Sequence, residues 1–196
     1  MPKVSDAYRA ARRDEIIDAA VRCVLRDGYR GVSMSAVIEE SGLSAGAIYG
    51  HFSGKQELLV AVAERVLDAR QADLAAARND GAPLSPGEIM ATLIGGLRQE
   101  QLSHVIPQIW AEAPLDDDVR EVAGRIFGQV QALLRAELAA WAAAEPGRVD
   151  GDPHEWARLV TPVVVSAAPG YLIQRAVLPD FDEDAYLAGL LQVYRR

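Results

Sequence analysis

Apolar positions recur with a helical period along most of the chain. Ile16, Ile17, Ala20, Val21, Val24 and Leu25 form one stripe, and it ends where Gly28 can cap a helix C-terminus. A first helix over roughly 8–27 follows from that stripe. Ser33 is placed as the N-cap of a short second helix reaching about Glu40, and Gly42 stands where a tight turn needs positive φ. The third helix then starts near Ser44. Ser53 followed by Gln56 has the spacing of a capping box and opens a long amphipathic helix with Leu58, Leu59, Val62, Val66 and Leu67 on one side. Asn79-Asp80-Gly81 closes it, and 82–86 reads as a linker.

Ser85-Pro86-Gly87-Glu88 repeats the capping signature with proline at the first helical position, predicting a helix to about Gln101. Breaks at Ala113-Pro114 and across 145–152 frame a long helix over about 116–144. Asp152-Pro153-His154-Glu155 opens the next one, and Asp180 with Glu183 is placed to cap the last. The segment 160–165 is rich in β-branched residues and admits a strand reading, but its flanks keep the helical period and favour a buried helix. The sum is an all-α chain of about nine helices. Pro162 and Pro169 each remove an amide and crowd the preceding turn, so the helix carrying them should bend or break.

Composition narrows the class. The chain has 196 residues, half of them apolar and about a quarter charged, as in an ordinary globular protein. Its one cysteine, Cys23, excludes an internal disulfide framework, and no Cys/His cluster has metal-ligand spacing, so no cofactor or metal is expected. Neither a signal peptide nor a run of about 18 apolar residues is visible, which implies a cytoplasmic protein without a membrane partner.

A net charge of −8 argues against nucleic acid only on average. Residues 1–55 hold eight Lys/Arg against seven Asp/Glu, whereas 56–196 hold twelve against twenty-one. The leading arm with Lys3, Arg9, Arg12 and Arg13 is basic. Salt screens fields beyond a Debye length of about 8–10 Å, so the local charge decides what a phosphate meets.

The chemistry concentrates in SGLSAGAIYGHFSGKQELL, residues 41–59. Two short helices about a glycine turn, behind a longer one, match a helix-turn-helix. Ile48 and Phe52, four apart, share the inward face, while Tyr49 is turned about 100° away. Ala45, Gly46, Ala47 and Gly50 are small, which lets a helix backbone enter a major groove about 12 Å wide. Ser33, Ser44, Tyr49 and Lys55 are candidate phosphate contacts, Lys55 beside the free amides that open the fourth helix.

This segment resembles the helix-turn-helix signature of the tetracycline-repressor (TetR) family of transcriptional regulators. The likeness runs over about 13–59, through Gly28-Tyr29, Ser33, Val37, Gly42-Leu43-Ser44, Gly46, Ile48-Tyr49, His51-Phe52, Lys55 and Leu58. Ile38, Ala45, Ala47 and Gly50 depart from the usual pattern, the last three by lacking hydrogen-bond donors. Base readout is therefore expected to lean on thymine-methyl contact from Ala45 or Ala47, on His51, and on DNA shape.

The resemblance implies a DNA-binding head over 1–55 and a helical ligand-binding and dimerisation domain over 56–196. It also implies a homodimer whose last two long helices, about 153–178 and 181–194, build a four-helix bundle with the partner. Ala167, Ala168, Gly170, Leu187, Leu190 and Leu191 are its candidate interface residues. A double-stranded DNA operator with inverted repeats and a small-molecule effector are the expected partners. Met90, Ile94, Leu97, His104, Gln108, Trp110, Phe127, Val130, Leu134 and Tyr171 fall on helices that would surround a pocket. No buried cluster of one charge is evident, which points to an uncharged or weakly polar effector.

Of two other classes, an enzyme is not expected, and an adaptor is the alternative reading. An enzyme would need convergent catalytic groups, yet His51, His104 and His154 are scattered, and Asp116-Asp117-Asp118 reads as helix N-terminal acids. A helical small-molecule-binding or adaptor protein that has lost DNA affinity would also fit Ala45, Ala47 and Gly50.

Overall fold

The computed structural model describes residues 6–78 and 81–194. Lys3 of the basic arm and the Asn79-Asp80 pair of the predicted helix stop lie outside the described residues. Ten α-helices and one 3-10 turn make up the described chain, with no strand among the described residues. They are α1 (Asp6–Gly31), α2 (Met34–Ser41), α3 (Ala45–Tyr49), α4 (Lys55–Ala77), α5 (Pro86–Gln99), the 3-10 turn Gln101–His104, α6 (Ile106–Glu112), α7 (Asp117–Ala143), α8 (Pro153–Val165), α9 (Ala167–Val177) and α10 (Glu183–Val193).

Local signals account for most of the boundaries. The Ser33 hydroxyl accepts from the Ala36 amide at 3.1 Å and Ser44 from the Ala47 amide at 3.2 Å, so each short helix has one orphan donor satisfied. Gly42, at φ 66°, closes α2 in the left-handed conformation that a Cβ would penalise. Ser85 and Glu88 form the reciprocal capping box at the start of α5.

Two predicted caps fall elsewhere. Ahead of α4 the Ser53 amide and hydroxyl both donate to Glu57, at 2.7 and 2.8 Å, leaving Gln56 out of the cap. At α10 the cap is Asp182, whose carboxylate accepts from Ala185 at 2.8 Å. Glu183 is drawn away from capping by the Tyr171 hydroxyl, Arg98 and Arg175.

The predicted helix over 153–178 breaks at Ser166, which adds one helix to the expected count. Pro169 has no amide to offer the Val165 carbonyl and its ring crowds that turn. The Ser166 amide and hydroxyl instead donate to the Val163 carbonyl, at 3.1 and 2.6 Å. Pro162 is carried inside α8 without ending it. The stretch Pro153–Val177 has the length and apolarity of a membrane span, but the break divides it and α8 packs along α7, where Trp156 meets Trp141 with ring centroids 5.6 Å apart.

Two apolar clusters hold the molecule. One joins α1 (Ile16, Ile17, Ala20, Val24), α2 (Val37), α3 (Ile48), Phe52 and the first turns of α4 to Leu102, Val105 and Val119. The other gathers Leu74, Ile89, Met90, Ile94, Leu134, Leu138, Val164 and Tyr171 from α4, α5, α7, α8 and α9. Each fully enclosed Ile, Leu or Phe contributes about 1.5–3 kcal/mol of transfer free energy. α4 belongs to both clusters and so ties the amino-terminal helices to the rest.

Candidate nucleic-acid interface

α3 is held by its inner face alone. Ile48 and Phe52 are 0 % and 1 % exposed, against α1 and α2, whereas Tyr49 is 53 % exposed on the opposite side. Ala45 and Gly46 lie fully on the outside, and Ala47 is half-buried at the edge. A side chain added at Gly46 would meet nothing within 4 Å, so the outer surface of α3 is bare backbone and methyl groups. Gly50 ends the helix exposed, and His51 follows half-buried. The arrangement is a short cylinder without bulk, bounded on one flank by a phenol.

Basic groups surround it from α1. Arg13 lies over the Phe52 ring at 5.0 Å, beside the C-terminal end of α3. Arg22 and Arg26 are both spent on Glu40, at 2.6 and 2.7 Å, and lock α1 to α2. The paired guanidinium groups pull the Glu40 carboxyl below its ordinary range, chiefly through the Arg22 hydrogen bond. Arg9 is exposed on the same helix.

Lys55 opens α4, and its side chain turns back onto the protein. Its ammonium donates to the Tyr29 carbonyl at 3.0 Å and lies 4.8 Å from the Tyr29 ring centroid. Burial lowers its pKa, against the opposing pull of Glu112 and Asp116. The Ser53 amide ahead of α4 is taken by Glu57, whereas no side chain caps the first turn of α4 itself. Tyr29 lies 26 positions from Lys55, which is why spacing alone could not find this contact.

The segment 16–62 matches the family model for bacterial regulatory proteins of the tetR family. That stretch of the chain is similar to the family's DNA-binding segment. A TetR-family relative, the transcriptional repressor AcnR of Corynebacterium diphtheriae, is 42% identical over 76 residues, 39% of this chain and 40% of the relative. This chain therefore aligns with well under two thirds of such relatives' length. The repressor KstR of Mycobacterium tuberculosis is 28% identical over 96% of this chain and 83% of its own. The fold extends further than the identity: the regulator FadR from Bacillus subtilis, solved with stearoyl-CoA, superposes with a TM-score of 0.65 at 18% identity, covering 92% of this chain and 96% of that one.

Behind this head lies a partly open chamber of about 210 Å³. Six of the ten sequence-predicted pocket residues line it: Met90, Leu97, Trp110, Phe127, Val130 and Leu134. Ile94 and Tyr171 are instead sealed in the second cluster, both 0 % exposed. His104 and Gln108 face outward, because 101–104 is a 3-10 turn and the register carried from α5 is lost there. Gln108 rests against Gly28, whose φ of 70° bends α1, with the amide oxygen 3.0 Å from where a Cβ would stand. Missed by the sequence were Val24 and Tyr29 of α1, Leu59 and Val62 of α4, and Arg70, all of which wall the chamber.

The predicted dimer residues divide in a similar way. Ala167 and Leu190 are buried within the chain, the backbone of 190–191 lying against Gly87 of α5, and neither offers area to a partner. Ala168, Gly170 and Leu187 are half-buried, and Leu191 is exposed. The large apolar side chains left exposed on the last three helices are Leu159 and Val163 on α8, Ile173 and Val177 on α9, and Leu191 and Val193 on α10. α10 packs its inner face on α5, with Leu191 and Val193 left outward.

Proposed function

We propose that the protein is a ligand-responsive transcriptional repressor that binds an inverted-repeat operator as a homodimer and leaves DNA when a small, mainly apolar effector fills its chamber. The head over 1–55 does the reading, and 56–196 binds effector and partner. The observation that carries this reading is the bare outer face of α3, exposed at Ala45 and Gly46 and flanked by Tyr49 and the arginines of α1. A surface without side-chain bulk is otherwise a waste of an amphipathic helix, and its dimensions suit a major groove.

Ser33, Ser44 and Tyr49 are its phosphate contacts, and Ala45, Ala47 and His51 face base edges, with Gly46 and Gly50 permitting the approach. Lys55 serves by holding Tyr29 and thus the end of α1. Leu159, Val163, Ile173, Val177, Leu191 and Val193, all exposed on the last three helices, form the dimer face, apolar residues of the kind that bundles bury. A two-fold dimer puts the two copies of α3 about 34–36 Å apart, one turn of B-DNA.

The test is selection from random duplexes, followed by anisotropy titration over 50–200 mM salt. An enriched inverted repeat whose affinity falls steeply with salt is expected, since phosphate contacts release counterions. Absence of any enriched sequence, with salt-independent affinity, would instead favour the adaptor reading.

A further inference from the structure

The chamber walls are mainly apolar. Among its walls Arg70, in the middle of α4, is the single charged side chain, and that side chain is 14% exposed. Its Nε and Nη1 are out of water and donate to no hydrogen-bond acceptor among the described residues. Asp73, one turn on, approaches Nε to 3.0 Å, but out of line for a hydrogen bond, and is itself 43% exposed. The guanidinium lies flat across Gly96 of α5, where any Cβ would collide with it. The glycine is thus the condition for keeping this cation indoors.

A buried guanidinium has five N–H groups that demand acceptors, and leaving them unmet is costly. We propose that the chamber is a site for an amphiphilic monocarboxylate, with Arg70 receiving the carboxylate and Met90, Leu97, Trp110, Phe127 and Val130 enclosing the tail. A neutral apolar molecule would fill the space but leave the guanidinium unmet. A cation would be repelled, and a dianion would bring one charge more than Arg70 can neutralise. The planar fork of arginine matches a carboxylate in two parallel hydrogen bonds. Size sets the other limit. A 150 Å³ cavity accommodates benzene, so about 210 Å³ suits a molecule of roughly eight to ten heavy atoms. The uncharged effector expected from sequence is replaced by one carrying a single negative group.

This deepens the effector reading and rests on it, but its test uses no DNA, so the two stand or fall separately. Calorimetry on the full chain near pH 7.5 compares octanoate with octan-1-ol, which share a tail and differ in the head group. Octanoate should bind roughly ten- to hundred-fold more tightly, the span of one charge-assisted hydrogen-bonded contact. Arg70→Met should abolish that preference while leaving octan-1-ol within about twofold, and Arg70→Lys should restore part of it. Asp73→Asn, which removes the competing anion at a half-exposed position, should tighten octanoate alone and decides the matter should Arg70→Met fail to fold. Equal binding of the two probes, no binding of either, or a preference that survives Arg70→Met or is unmoved by Asp73→Asn would overturn the proposal.

Discussion

The Lys55 ammonium and the Tyr29 carbonyl, 26 positions apart in sequence, meet at 3.0 Å and fasten the start of α4 to the bent end of α1. Replacing Lys55 with Met keeps the apolar stem and deletes the bond. The loss expected is about 1 kcal/mol of stability, the ordinary net value of such a contact at a half-buried site. Thermal unfolding of the variant should show a fall of a few degrees. An unchanged midpoint would mean that the contact is incidental.

Gly46 offers a variant in which stability and DNA binding should move apart. Gly46→Ala adds a methyl group into open space and replaces a poor helix former with the best one, so folding should gain about 0.5–1 kcal/mol. Operator affinity should nevertheless fall, because the added group meets base edges. A variant that melts higher and binds DNA as well as the parent would remove Gly46 from the interface.

Val163 is 62 % exposed on α8, within the proposed dimer face. Val163→Asp puts a charge where two copies are proposed to meet and leaves the chain's own core untouched. Sedimentation equilibrium should then report a monomer, with operator affinity lost alongside. A dimer that survives this change would move the interface off α8.

Tyr171 governs an alkaline limb. Its hydroxyl is pushed up to about 12 from an ordinary value of 10.0, first by burial and then by the hydrogen bond it donates to Glu183. The folded state keeps this proton over a range in which the unfolded chain loses it. The contribution to stability is therefore complete below pH 10 and drains away as pH rises through about 12. Urea titrations at pH 9, 10 and 11 should show a falling midpoint, with a shallower fall in Tyr171→Phe. Tyr29 and Tyr186, also raised by burial, keep part of the slope in that variant.

What could be read from the sequence was local. Ser33, Ser44 and Ser85 act as caps within three residues of their partners, and Gly42 needs its left-handed φ because of the turn it sits in. Ile48, Tyr49 and Phe52 sort inward and outward by angle alone. Glu57 took the cap expected of Gln56 because a carboxylate one position on reaches both donors of Ser53. What could not be read depends on contacts between distant elements. Arg70 looks like any solvated helix charge until Gly96 is found against it, and Leu190 looks like interface until α5 is found beneath it. His104 and Gln108 were misdirected by a change from α to 3-10 geometry that no residue near them announces.

Val24 and Tyr29 stand in the wall of the chamber and also in the core that seats α3. An occupant therefore presses on the scaffold of the reading helix with no intervening lever, and the signal has only one side chain's width to cross. Such short wiring ties sensitivity to fit: a guest too small to touch those two residues would be held without being heard.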